Sequence, residues 1–186
     1  MKIEIEKYIL KNKDNLRIAA TVGEAWPEVM EKLAGGFLDR LDSRLMRKLK
    51  GWKFGRWERV FIHSYPEYDF WKPAWNEQYY VTLQFNNYGR EMNIGLMRDE
   101  GQKHISKRPR CAEVIAAVRK HFPSASERTW WEARIPMNSP AADWRGPEVL
   151  WRMYHKDPKF LDDVAEQLLK VAKICEPIVD ELARKK

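Results

Sequence analysis

The densest positive charge in the chain lies between Arg44 and Arg59. There Arg44, Arg47, Lys48, Lys50, Lys53, Arg56 and Arg59 stand against Glu58 alone. On a helical wheel Arg40, Arg44, Arg47 and Lys48 fall on a face apart from the Phe37–Leu41–Leu45 stripe. A second basic group, Lys103, Lys107, Arg108 and Arg110 with His104, comes later. Cations grouped this way neutralise phosphates, and Trp52, Trp57 and Trp71 nearby offer planes on which bases stack. The bland alternative is solvated charge over core tryptophans. A further cluster, Tyr65, Tyr68, Phe70, Trp71 and Trp75, either lines a protein-partner surface or staples a loop to the core. Stapling is favoured, since each buried aromatic contributes roughly 1.5–3 kcal/mol.

Other chemistry has little to stand on. His63, His104, His121 and His155 show no HxxxH or HExxH spacing, so no metal is expected. Cys111 opens a helix and Cys175 lies on an apolar stripe, and both read as small buried hydrophobes. Gly-rich phosphate loops, GxSxG and GxGxxG are absent, so no cofactor and no catalytic residue is expected. The one (Asp/Glu)-x-Lys string is Asp157-Pro158-Lys159, where proline excludes a central strand and Asp157 suits a helix N-cap.

The elements that must position these residues follow from the pattern. At 186 residues, 44% hydrophobic and 12% aromatic, the chain has material for one packed domain. It carries a net charge of +7, no run of 18 apolar residues, a charged segment after Met1 and only two cysteines. A cytoplasmic protein without membrane association is expected. Residues 1–15 read as an N-terminal arm or edge strand and 16–186 as a single α+β domain. Apolar spacing predicts a helix over 27–50, with Pro27 in its first turn and a kink or a break into two shorter helices at Gly35-Gly36. Strands are expected over 52–62, 79–85, 92–96 and 130–135, with a hairpin turn at 86–89 and a loop at 63–76. Helices are expected over 111–121, 147–154 and 158–183, the last carrying Pro177. The result is a small antiparallel sheet of about four strands packed on helices, one face covered and the other partly wet.

The order of a strand from Trp52, Trp75 leading into Tyr79-x-Val81-x-Leu83-x-Phe85, Met92-x-Ile94-Gly95-Leu96, a Trp130-Trp131 strand, Trp144 and a terminal apolar helix resembles a known region. It is the accessory region that follows the catalytic core in prokaryotic and phage proteins of the PD-(D/E)xK nuclease superfamily, over residues 37–182. The resemblance implies an accessory domain without the nuclease core, since the acidic residue and (Asp/Glu)-x-Lys on adjacent strands are lacking. The leading expectation is a non-enzymatic module for nucleic acid or a nucleic-acid-handling protein, using the basic residues above. The second is a phage or bacterial interaction or inhibitor protein engaging a partner through residues 64–75. A metal-dependent nuclease is third.

Overall fold

The structure, a computed structural model, describes residues 2–98 and 111–184. The chain begins with a short helix, α1 (Lys2–Ile9), and a 34-residue helix, α2 (Lys13–Met46). Residues 2–9 are therefore helical, where the Ile3/Ile5 alternation suggests a strand. Asn12 caps α2, its side-chain oxygen accepting from the Asn15 amide at 2.8 Å. Pro27 lies inside α2 and not in its first turn. Its ring removes the hydrogen bond to the Gly23 carbonyl, but this stretch is exposed and water can replace the bond. The helix also runs through Gly35-Gly36 without the expected break. Buried Ala34, Phe37 and Leu38 on either side outweigh the cost of about 1 kcal/mol per glycine.

Six strands form one antiparallel sheet: β1 (Lys53–Arg56), β2 (Glu67–Trp71), β3 (Tyr79–Phe85), β4 (Glu91–Arg98), β5 (Ser126–Arg128) and β6 (Trp131–Pro136). Their order is β1-β2-β3-β4-β6-β5. Two of these lie beyond the expected four. β2 occupies the middle of the expected 63–76 loop, because the prolines flank it and do not interrupt it. β5 is a three-residue edge strand with no apolar alternation to announce it. β1 is only four residues long where 52–62 was expected. The buried Glu31 carboxylate accepts from the amides of Val60 and Phe61, both at 2.8 Å, and holds that segment on α2 instead of on the sheet.

The β3–β4 hairpin forms as expected, closed by a single turn, α3 (Asn86–Gly89), with Asn87, Tyr88 and Gly89 in the left-handed region. Gly89 is required there, since a Cβ would collide with the Phe61 ring. The register places Val81 beside Leu96, Leu83 beside Ile94 and Phe85 beside Met92. All six are buried against the helices, as their alternation predicts. Covering that face are α2, α4 (Ala112–Arg119), α5 (Pro147–Tyr154) and α6 (Pro158–Arg184). Phe37, Phe85 and Trp144 meet edge to face with ring centroids 4.9 and 5.0 Å apart. Asp157 starts α6, accepting from the amides of Lys159 and Phe160, so its carboxylate is a cap. No helix among the described residues is long and apolar enough to cross a membrane.

Candidate nucleic-acid interface on the open sheet face

Strand alternation delivers a second set of side chains to the face that the helices leave uncovered. β2 contributes Glu67, Asp69 and Trp71 there, and their β3 neighbours are Gln84, Thr82 and Tyr80. From β4 come Asn93 and Met97, and from β6 Trp131 and Arg134. β1 contributes Lys53 and Gly55, the partners of Trp71 and Asp69. All of these but Lys53 and Asn93 line a groove of about 910 Å³. Exposed Trp57, Tyr65 and Trp130 stand at its rim, with Arg128 on β5.

The Trp71 indole lies against Gly55 and meets Tyr80 edge to face at 5.2 Å. At Gly95 a Cβ would run into the Ala133 carbonyl oxygen and crowd the Trp131 ring, so only glycine lets β4 and β6 approach here.

The polar groups are arranged by sign. On the β2 side, Gln84 Nε2 donates to Glu67 Oε1 at 2.7 Å and Thr82 Oγ1 donates to Asp69 Oδ1 at 2.6 Å. Burial pushes the Asp69 carboxyl up to about 7, and the charge of Glu67 adds to the rise, while the Thr82 bond opposes it. On the β6 side, Arg134 Nε donates to Asn93 Oδ1 at 2.8 Å, which fixes the guanidinium. Arg98 is different: it and Glu132 form a buried ion pair at 3.5 Å, and Glu132 also accepts from the Cys111 amide at the start of α4. Among atoms of groove residues, Trp71 Nε1 and Asn86 Oδ1 are shielded from solvent and have no hydrogen-bond partner. Trp144 Nε1 in the core, Arg40 Nε and Arg145 Nε share that condition outside the groove.

The basic residues singled out in the sequence divide into two sets. Arg44 pairs with Asp162 on α6 at 2.8 Å. Arg56 pairs with Asp39 at 2.6 Å and Asp42 at 3.5 Å, both on α2. Arg59 pairs with Glu28 at 3.5 Å. Arg40 donates to the carbonyls of Gly36 and Met153 and lies over the Phe37 ring. These four are occupied within the fold. Arg47, Lys48 and Lys53, with Lys50, are exposed at the turn from α2 into β1, beside the edge of the groove. Lys103, Lys107, Arg108 and Arg110 lie outside the described residues.

The aromatic cluster of 64–75 also divides. Tyr68, Phe70 and Trp75 are fully buried core residues, so they cannot form a partner-binding surface. The Tyr68 hydroxyl donates to Asp42 at 2.7 Å, and Trp75 Nε1 donates to Asp180 at 2.8 Å. Trp71 lines the groove instead, and only Tyr65 is prominently exposed. Cys175 is buried on α6, its thiol pushed up to about 12 by burial and by nearby Cys111, so it is held as the neutral thiol. Among the described residues no group of three His, Cys, Asp or Glu could hold a metal ion.

Glu67, Asp69, Thr82, Gln84 and Arg134 were not among the candidates drawn from charge density. Their signal is the polar half of the strand alternation, the side chains opposite the apolar ones. Neither a family model, nor a curated protein, nor a solved structure matches this chain.

Proposed function

We propose that this domain is a non-enzymatic module that binds single-stranded nucleic acid across the open face of its sheet. The observation that carries this reading is the groove itself: aromatic planes interleaved with arginines and amides on the sheet face turned away from the helices. Bases stack on such aromatics at about 1–3 kcal/mol each, whatever their sequence, and cations at the margins hold the phosphates. Lys53 begins the strand at one edge of the sheet and Arg128 ends the strand at the other. Five strand spacings separate these edges, about 24 Å, enough for a short run of nucleotides. Exposed Arg47, Lys48 and Lys50 extend the positive charge beyond the β1 edge. The resemblance to an accessory region of nuclease-superfamily proteins points to the same class of substrate or to a protein that handles it.

Fluorescence anisotropy with labelled mixed-sequence single strands tests the proposal. Binding is expected at about 50 mM salt, weakening towards about 200 mM with a log–log slope of about 0.7 per phosphate neutralised. Trp71→Ala should weaken it at every salt concentration without changing that slope. Absence of any binding at low salt overturns the reading.

A further inference from the structure

Building on the nucleic-acid reading, we propose that the groove holds one nucleotide in a fixed orientation, with Asp69 accepting from an exocyclic amino group of the base and Arg134 and Arg128 facing its phosphate, so that cytosine is selected over thymine or uracil.

Charge is separated across the groove. Asp69 and Glu67 share one strand and one face, whereas Arg134 and Arg128 lie on β6 and β5. From β2 to β6 is three strand spacings, about 14 Å. An arginine side chain reaching inward shortens that span to one that a base, its sugar and a phosphate fill. The floor between is half-buried Tyr80 and Met97 over the buried Trp131, an apolar seat for a base. A phosphate placed against the carboxylates would be repelled, and a base amino group placed against the guanidiniums would face donors with donors. Only one orientation satisfies both walls.

Hydrogen bonding within the groove leaves the necessary atoms over. Thr82 uses Asp69 Oδ1, and Oδ2 has no hydrogen bond among the described residues. Asn93 uses Arg134 Nε, and neither Nη1 nor Nη2 donates to a described residue. The shielded, unpartnered Asn86 Oδ1 is a further acceptor in the same wall system, and Trp71 Nε1 a further donor. Both atoms belong to residues that line the groove.

The choice among bases follows from chemistry alone. Cytosine presents its N4 amino group, and a carboxylate is its natural acceptor. Thymine and uracil present the O4 carbonyl at that place, so a carboxylate there meets an acceptor and leaves both unpaired. Both pyrimidines stack on the same floor, and the difference between them isolates the Asp69 contact.

The test compares oligo(dC) with oligo(dT) of equal length at about pH 8, by anisotropy, for the wild-type chain and for Asp69→Asn. The wild type is expected to bind oligo(dC) about tenfold more tightly, a difference of about 1.4 kcal/mol. In Asp69→Asn the ratio should fall towards one, because an amide can donate to O4 as well as accept from N4. Arg134→Gln should weaken both oligonucleotides equally and lower the salt slope by about one contact. Equal wild-type affinities for the two overturn the base assignment and leave nucleic-acid binding standing. A preference that survives in Asp69→Asn overturns the role of Asp69. Binding of neither oligonucleotide at low salt overturns the nucleic-acid reading and this inference together. The wild-type comparison needs no variant, so it decides the matter even if Asp69→Asn fails to fold.

Discussion

Thr82 and Asp69 are direct partners in the β2–β3 register, and the Thr82 hydroxyl donates to Asp69 Oδ1 at 2.6 Å on the face the helices leave open. One hydrogen bond is not enough to offset the burial of that carboxylate beside Glu67, so its pKa rises from 3.8 to about 7. Between those values the folded chain holds a proton that the unfolded chain releases. Stability should therefore fall as pH rises from about 4 to about 7, and level off above. The full cost is at most about 4 kcal/mol, since a tenfold change in proton affinity is worth about 1.4 kcal/mol. In urea denaturation Asp69→Asn should lack this slope and gain on the wild type from about pH 4 to about pH 7, the difference holding constant above. A constant difference between the two across that range contradicts the assignment.

Behind the sheet, Asp180 on α6 accepts from Trp75 Nε1 at 2.8 Å and from Lys72 Nζ at 2.6 Å. Burial works against both charges, but these bonds hold the Asp180 carboxyl below its usual value and the Lys72 ammonium above its own. Asp180→Ala strands a fully buried indole N–H and should cost about 1–3 kcal/mol in chemical denaturation. The lowered Asp180 pKa contributes stability above the ordinary carboxylate range and loses it as pH falls through the folded value. The variant should accordingly lose less stability than the wild type on acidification below about pH 4, where an ordinary aspartate takes up its proton. A variant as stable as wild type at neutral pH shows that the contact adds nothing.

In the core, Leu83 and Leu168 are both fully buried, on β3 and α6. Leu83→Ala and Leu168→Ala should each cost about 2–5 kcal/mol. Either variant unfolding at the wild-type denaturant midpoint would contradict that packing.

How far the sequence carried can be seen in particular residues. Val81, Leu83 and Phe85 announce β3 by period two, and the stripe from Leu161 through Leu168 to Leu182 announces α6 by its helical spacing. Both depend only on local pattern. Glu67-Tyr68-Asp69-Phe70 has the same alternation, but Pro66 and Pro73 suggest a loop; they lie just outside β2, where proline does no harm. The polar run at 11–15 reads as part of an arm, whereas Asn12 caps α2 there. Nothing local shows that Glu31 meets Val60 and Phe61, or that Arg44, Arg56 and Arg59 are spent on aspartates and glutamates. Those partners are 29, 30, 118, 14, 17 and 31 residues distant in sequence, and charge density alone cannot separate a structural arginine from an available one.

Glu31 governs the rim of the groove through the same long-range contact. Its carboxylate holds the Val60 and Phe61 amides, and that segment carries Trp57 and Tyr65. Glu31→Ala should leave two buried amides without an acceptor, at a cost of about 1–3 kcal/mol for each. It should also speed hydrogen exchange at Val60 and Phe61 above all other amides. Oligonucleotide affinity should fall with it, through the loosened Trp57 and Tyr65. Unchanged exchange at both amides rules out the clamp.

The division of the basic residues yields the sharpest contrast. Arg47, Lys48 and Lys53 are exposed at the α2–β1 turn, and their charges serve no contact within the described fold. The combined variant Arg47→Glu, Lys48→Glu, Lys53→Glu should keep its stability within about 0.5 kcal/mol of the wild type, as surface changes do. It should nevertheless bind single strands at least tenfold more weakly at low salt, with a shallower salt dependence. Arg56→Glu should behave in the opposite way. It replaces a cation held by Asp39 and Asp42 with a third carboxylate beside them, next to the Tyr68 hydroxyl, which donates to Asp42. Stability should drop by more than about 1 kcal/mol before any loss of binding is considered. Denaturation and anisotropy on the two variants side by side separate the roles. If the triple reversal binds like wild type, the phosphate contacts lie elsewhere on the groove. If Arg56→Glu is as stable as wild type, the α2–β1 ion pairs are ornamental.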